Sequence, residues 1–359
     1  MTHAEASTFY AGRTVLVTGH NGFKGAWLVS LLHRLGATVV GLSERPTPER
    51  PALGERAPNE HVVDVCDLDA VRRAIRSTSP DIVLHLAAHA ITLDSYEDPV
   101  RTFRTNGMGT AHVLEAVRDV DHPCRVVIVT SDKCYENQEW AWGYRETDRL
   151  GGHDPYSTSK SVAELITTSY VRSYFPADGD IRVCTCRAGN VIGGGDESPH
   201  RVIPDCFRAW TSDQPIHLRH PDATRPWNFV LDVLWGYLTI AWALDREDVH
   251  GEPFNFGPSS SDAWSVRQVV DHLWNTTGGA GRWSCDPVVL DEVSEARKEH
   301  KSLQLVSDKV RHVVGWTPAL TVPEALDWTA RWYLQAWVDD ADRRAISDHM
   351  VNAYLDLQR

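Results

Sequence analysis

The chain has 359 residues, with 36 Lys and Arg against 49 Asp and Glu and a formal net charge of -13. This length buries a sizeable core as one large or two interleaved domains, and the acidic balance leaves no basic excess to displace counterions from a nucleic acid. No apolar run approaches the roughly 20 residues of a membrane span, and the opening MTHAEASTFYAGR has no apolar signal core, so a cytoplasmic protein is expected.

In chain order, short β-branched runs alternate with longer amphipathic stretches. The runs are TVLVTG, TVVGLS, HVVDV, DIVLHLAA, RVVIVTS and RVCTCRAGNV. Such alternation is that of a parallel sheet with helical crossovers. Between them, GAWLVSLLHRLG and AVRRAIRSTSP have helical periodicity and end in Gly or Pro. The expected fold is α/β, a doubly wound parallel Rossmann-type sheet, with residues 1–190 as the dinucleotide-binding domain. Past residue 190, Pro and Gly punctuate shorter helices, and 191–359 reads as mainly a smaller substrate-binding domain over the carboxyl ends of the strands. Segments near 225–258, including EPFNFGP, are expected to return to the first sheet. No disordered tail is expected beyond the first ten or so residues. Seven cysteines without paired spacing point to neither a disulfide framework nor a metal site. Cys134 reads as a packing residue.

VLVTGHNGFKG sets Gly19, Gly22 and Gly25 between a strand and a helix. Glycines at that spacing permit a tight turn and close backbone approach to a pyrophosphate at the helix amino terminus. Against the reading of an ordinary glycine-rich turn, its place after the first strand favours a dinucleotide, with Asn21 and Phe23 counted in the same loop. At the end of the second strand, Ser43 and Glu44 suit the ribose hydroxyls of NAD, whereas Arg45 leaves NADP open. Asp64 and Val65 are placed to bracket an adenine edge, and Leu86, Ala87 and Ala88 to floor the pocket. Asn106 joins the cofactor candidates. Each of these also has a plain reading as turn or strand filling.

DPYSTSK holds Tyr156 and Lys160 four residues apart, on one face of a helix. A tyrosine normally loses its proton at about pH 10. A lysine beside it, with a positive nicotinamide ring nearby, stabilises the phenolate and lowers that value. Ser131, ending the fifth strand, is then placed to hydrogen-bond the same substrate hydroxyl. For the spacing alone, a solvated helix face is the competing reading.

Taken together, the glycine loop, Ser131 and Tyr156-x-x-x-Lys160 resemble the extended short-chain dehydrogenase/reductase superfamily, over nearly the whole length. The resemblance implies that Tyr156 removes a hydroxyl proton while hydride passes to NAD. The stretch TSDKCYENQEWAWGYRETDRLGGHDPYSTSK is similar to the CDP-glucose 4,6-dehydratases, more so than to the dTDP-glucose enzymes, which have Glu where this chain has Lys133. That similarity implies a nucleotide-diphosphate hexose as substrate and elimination of water after oxidation at carbon 4. Asp132 is then the general acid at oxygen 6 and Lys133 the base at carbon 5. RAGNVIGGGD, VIPD, RPWNFVLD and NFGP match the same pattern. They carry over Asn190 and Arg225 as diphosphate contacts, with Arg201 beside them; Arg187 is a further candidate that also reads as a surface cation. His89 is a candidate substrate contact in AAHAITLDSY, where Leu93 replaces a usual arginine. Glu299 and Lys301 either touch the nucleotide or belong to a solvated loop. A homodimer through the Tyr156 helix and its neighbour is implied, and no metal is expected. Three alternatives stay open: an inverting dehydratase, an epimerase of another sugar, or a dinucleotide sensor without catalysis, although sensors typically lack part of the triad kept here.

Overall fold

In the computed structural model, residues 1–47, 53, 57–218, 220–258, 263–278, 283–284 and 302–359 are described. Seven strands make the central sheet: β1 (Thr14–Thr18), β2 (Thr38–Ser43), β3 (Asn59–Val62), β4 (Ile82–His85), β5 (Cys124–Val129), β6 (Ile181–Ala188) and β7 (Pro253–Phe256). All pair in parallel, in the spatial order β7-β6-β5-β4-β1-β2-β3. The order reverses between β1 and β4, where Thr18 lies opposite both Leu42 and His85. A crevice outside the carboxyl ends of the strands at such a reversal is where ligands bind in open α/β sheets.

Six helices matter here: α1 (His3–Tyr10), α2 (Phe23–Arg34), α3 (Leu68–Thr78), α4 (Gly109–Val117), α5 (Pro155–Tyr174) and α6 (Val230–Ala243). Alternation along β1 decides which core each covers. Val15 and Val17 pack with α2 and α6 on one face, and Leu16 packs with α3 and α4 on the other.

Two expectations need correction. The first ten residues are no loose tail: Thr2 and Glu5 close a capping box on α1, Ala6 and Tyr10 are buried, and the Tyr10 hydroxyl donates to the Leu238 carbonyl at 2.8 Å. The third strand, expected as HVVDV, runs from Asn59 to Val62. Val65, three residues past its end, is buried in the core cluster that also holds Leu114, where it adds apolar area.

The later segments do return. β7 pairs with β6, Pro253 opposite Thr185. Trp227–Phe229 pairs with Asn190–Ile192, and Thr224–Arg225 with Trp264–Ser265. These short ladders put Asn190 and Arg225 above the strand ends.

Candidate active site

The cofactor loop is built by crowding. Gly19 has φ +69°, and a Cβ there would lie 2.9 Å from the Ala87 backbone. A Cβ on Gly25 would meet the Gly19 carbonyl at 2.1 Å. Gly22 caps α2 without any side-chain hydrogen bond, which leaves the first amides of the helix to an anionic group. This turn and open helix start fit a dinucleotide pyrophosphate. Asn21 fastens the loop to the end of β2, donating from Nδ2 to the Arg45 carbonyl at 2.9 Å. Ser43 Oγ donates to the same carbonyl at 2.9 Å. Glu44 is held on the surface by Arg101, at 3.0 and 3.1 Å. Asp64 caps its own turn through the Cys66 amide at 2.9 Å, and Val65 is buried. Phe23, Leu86 and Ala88 line a cavity at the strand ends, while the Ala87 amide donates to Thr18 Oγ1 at 3.1 Å.

Asn106 and His89 do something else. Asn106 Oδ1 accepts the His89 amide at 2.8 Å, and its Nδ2 donates to the His89 carbonyl at 3.1 Å and to Ser159 Oγ at 2.8 Å. His89 Nδ1 lies 2.7 Å from Thr102 Oγ1. Neither residue is part of the cavity wall. Both fasten the loop after β4: Asn106 ties it to Ser159 on α5, and His89 Nδ1 ties it to Thr102. The clamp sits on a π-helical turn, Arg104–Met108.

Tyr156 stands in the first turn of α5, whose Asp154 cap accepts the Ser157 amide at 2.9 Å. Ser95 Oγ accepts the Tyr156 amide at 3.2 Å. Lys160 Nζ reaches the Val129 carbonyl at 3.4 Å. Opposite, β5 ends and Ser131 caps a 3-10 turn, Asp132–Cys134, accepting the Lys133 amide at 3.3 Å and donating to Asp132 Oδ1 at 2.9 Å. All five residues line one cavity: Ser131, Asp132, Lys133, Tyr156 and Lys160.

Burial acts on these groups according to charge. It pushes the Tyr156 phenol up to about 12, with Ser131 and Arg201 pulling the other way. It pushes the Lys160 ammonium down to about 8, against Glu164. Loss of solvent therefore dominates at Tyr156, in place of the lowering expected from Lys160. Burial also raises Asp132, opposed by Lys133, Ser131 and Arg225. Cys134 is fully buried with its thiol pushed up by desolvation, as suits packing.

At the outer end, Asn190, Arg201 and Arg225 line the same cavity, and so does Leu93. Arg187 does not: it is buried in an ion pair with Glu164 at 2.8 Å, which removes it from the substrate contacts. Glu299 and Lys301 lie outside the described residues. The structure adds two residues that the sequence reading passed over. Lys24 lines the cavity, its ammonium pushed down to about 7 by burial, Lys160 and Arg201; a charge inside the apolar-flanked GFKG was its signal. Asp196 lines it too, buried, accepting the Ser198 amide at 3.0 Å. The six described cysteines are free thiols, and no metal-holding cluster occurs among the described residues.

Comparison with known proteins supplies the context. Residues 15–257 match the model of the NAD dependent epimerase/dehydratase family. The CDP-glucose 4,6-dehydratase of Salmonella typhimurium is 39% identical over 357 residues, covering 95% of this chain and 97% of that protein. The dTDP-glucose 4,6-dehydratase 1 of Escherichia coli is 25% identical, covering 95% of this chain and 98% of its own. Among solved structures, an epimerase from Methanothermobacter thermautotrophicus superposes with a TM-score of 0.81 at 26% identity, over 94% of this chain and 96% of that one. A Thermus thermophilus UDP-glucose 4-epimerase in complex with NAD gives 0.74 at 26% identity, over 90% and 99%.

Proposed function

The chain belongs to the NAD-dependent epimerase/dehydratase family, and from that premise we propose that it is a nucleotide-sugar 4,6-dehydratase acting on CDP-D-glucose. One observation carries the reading: the cavity that holds Tyr156 and Lys160 also holds Asp132, a carboxyl whose burial favours the protonated form. An oxidation alone has no use for such an acid. The sugar and base are assigned by the similarity to the Salmonella enzyme over nearly the full length of both chains.

NAD at the glycine loop supplies a store for the hydride taken from carbon 4 and returned to carbon 6. Tyr156 takes the proton of the carbon-4 hydroxyl, with Ser131 and Arg201 favouring its phenolate. The resulting ketone acidifies the proton on carbon 5, which Lys133 accepts when present as the free amine. Asp132 gives its proton to oxygen 6, and water leaves. With hydride on carbon 6 and a proton back on carbon 5, the product is the 4-keto-6-deoxy sugar, lighter than the substrate by one water. Asn190, Arg201 and Arg225 are assigned to the diphosphate, to whose oxygens arginine's forked donors are suited.

A homodimer and a cytoplasmic location belong to the same proposal. Val100, Phe103 and Met108 on the 99–108 segment, with Leu165 and Tyr174 on α5, are each more than a third exposed, and an apolar surface on adjoining helices is what a second copy would cover. No helix among the described residues is long and apolar enough to cross a membrane, and free thiols suit a reducing compartment.

The test is to incubate the protein with CDP-glucose and NAD in deuterated water. A product one water lighter, with deuterium at carbon 5, is expected. An isomer of unchanged mass makes the protein an epimerase, and no turnover of any activated hexose makes it a sensor.

A further inference from the structure

Behind the cavity wall lies a charged layer that no step of the proposed reaction uses. Glu164 stands one turn beyond Lys160 and two beyond Tyr156 on α5, so the three share a face of the helix. One carboxylate oxygen accepts from Thr130 Oγ1; the other accepts from Thr185 Oγ1 and from Arg187 Nη2, each at 2.8 Å. Arg187 Nη1 donates onward to the Tyr135 hydroxyl at 2.8 Å and to the Glu146 carbonyl at 3.1 Å. Its guanidinium also lies 5.1 Å from the centre of the Tyr135 ring. The Tyr135 hydroxyl donates in turn to Asn255 Oδ1 at 2.7 Å.

The placement of these contacts is informative. Thr130 immediately precedes Ser131, and Tyr135 immediately follows the Asp132–Cys134 turn. The cluster thus grips the strand-end turn at both ends and the helix between them. The oxidising residues, Tyr156 and Lys160, ride on the helix. The acid and base of the elimination, Asp132 and Lys133, ride on the turn. One hexose ring has to meet both sets, so the spacing between the two elements is a catalytic quantity. Stability alone does not call for this arrangement, since apolar residues of similar volume serve a core as well as a buried ion pair does.

We propose that Glu164, charge-balanced by Arg187, is a positioning residue that sets the distance between the oxidising helix and the eliminating turn, so that water loss keeps pace with oxidation at carbon 4. This rests on the dehydratase reading above. Loosening the cluster uncouples the two halves instead of slowing both alike.

The experiment compares wild type, Glu164→Gln, and a double variant carrying Glu164→Leu with Arg187→Met, which leaves no lone charge in the core if the single variant fails to fold. Reduced-nicotinamide absorbance and loss of one water are read in the same sample with CDP-glucose and NAD. Amide hydrogen exchange of residues 131–135 is read on the protein without added ligand. In the folded variants, formation of reduced cofactor persists while water loss falls by about tenfold or more, the reduced cofactor stands at a higher steady level, and exchange at 131–135 quickens while β1 and β2 are unchanged. A parallel fall of both halves, an unchanged ratio between them, or unchanged exchange at 131–135 overturns the proposal. If wild type itself releases no water, the dehydratase reading fails, and the exchange data alone then decide whether the cluster holds the turn.

Discussion

Two carboxylates on adjacent elements are equally hidden and oppositely disposed. Asp132, on the cavity wall, is 3% exposed, and Glu164, behind it, is 1% exposed. Burial raises both. At Asp132 it prevails over Lys133, a Ser131 hydroxyl and Arg225, and the carboxyl is held up. At Glu164 the Arg187 guanidinium and the hydroxyls of Thr130 and Thr185 overcome it, and the carboxyl is held down. Desolvation sets the question, and the number and kind of partners answer it. The wall therefore favours a protonated carboxyl, while the layer behind favours an anion.

This contrast separates chemistry from support, and two substitutions probe it in descending order of effect. On the wall, Tyr156→Phe removes one hydroxyl from the reacting centre. Reduction of NAD by substrate is expected to fall by about 10³-fold or more, with the denaturant midpoint unmoved; a variant that still reduces NAD at the parent rate removes Tyr156 from the chemistry. Behind the wall, Arg187→Met leaves Glu164 charged without its cation, held only by the hydroxyls of Thr130 and Thr185. It is expected to cost about 3–5 kcal/mol of stability, read as a shift of the urea transition, and a loss below about 1 kcal/mol shows that the pair is not a desolvated one.

Asp232 extends the comparison to a third buried carboxylate, this one without a cation beside it among the described residues. It accepts the Ala319 amide at 2.7 Å, the Tyr354 hydroxyl at 2.8 Å and the Leu320 amide at 3.3 Å, tying α6 to the carboxyl-terminal helices, and burial pushes it up to about 6. Its folded value lies above its unfolded one, so the unfolded chain gives up this proton first as pH rises. The contribution is complete below about pH 4 and is lost toward pH 6, worth about 3 kcal/mol in all. Glu164 has the reverse sign, its contribution being present above the unfolded value and lost as pH falls through the folded one. Stability measured from pH 4 to 7 should show the Asp232 slope in wild type and a flattened one in Asp232→Asn. Equal slopes in the two proteins would dismiss the assignment.

Much of the site was legible because it is written in short spacings. The glycines of the first turn and the Tyr156 to Lys160 interval are fixed by the geometry of one turn and one helix. The strand-end position of Ser131, Asp132 and Lys133 follows from the apolar run before them. What escaped depends on partners far along the chain. Glu164 and Arg187 meet only once α5 packs on β6, so Arg187 read as a surface cation when its charge is spent inside. Asn106 and His89 looked like ligand contacts because both are polar and near a strand end, yet they hydrogen-bond one another across 17 residues. The opening helix was different: the Thr2 to Glu5 capping box was present in the sequence and went unread. Its docking through Tyr10 onto the Leu238 carbonyl was not readable at all.

The most direct measurement is a single-turnover incubation of Asp132→Asn with CDP-glucose and NAD, following reduced nicotinamide and product mass together. The account predicts that the cofactor is reduced at close to the parent rate while loss of water falls by about 10²-fold or more. Water released at the parent rate would show that the acid on the cavity wall takes no part in the elimination.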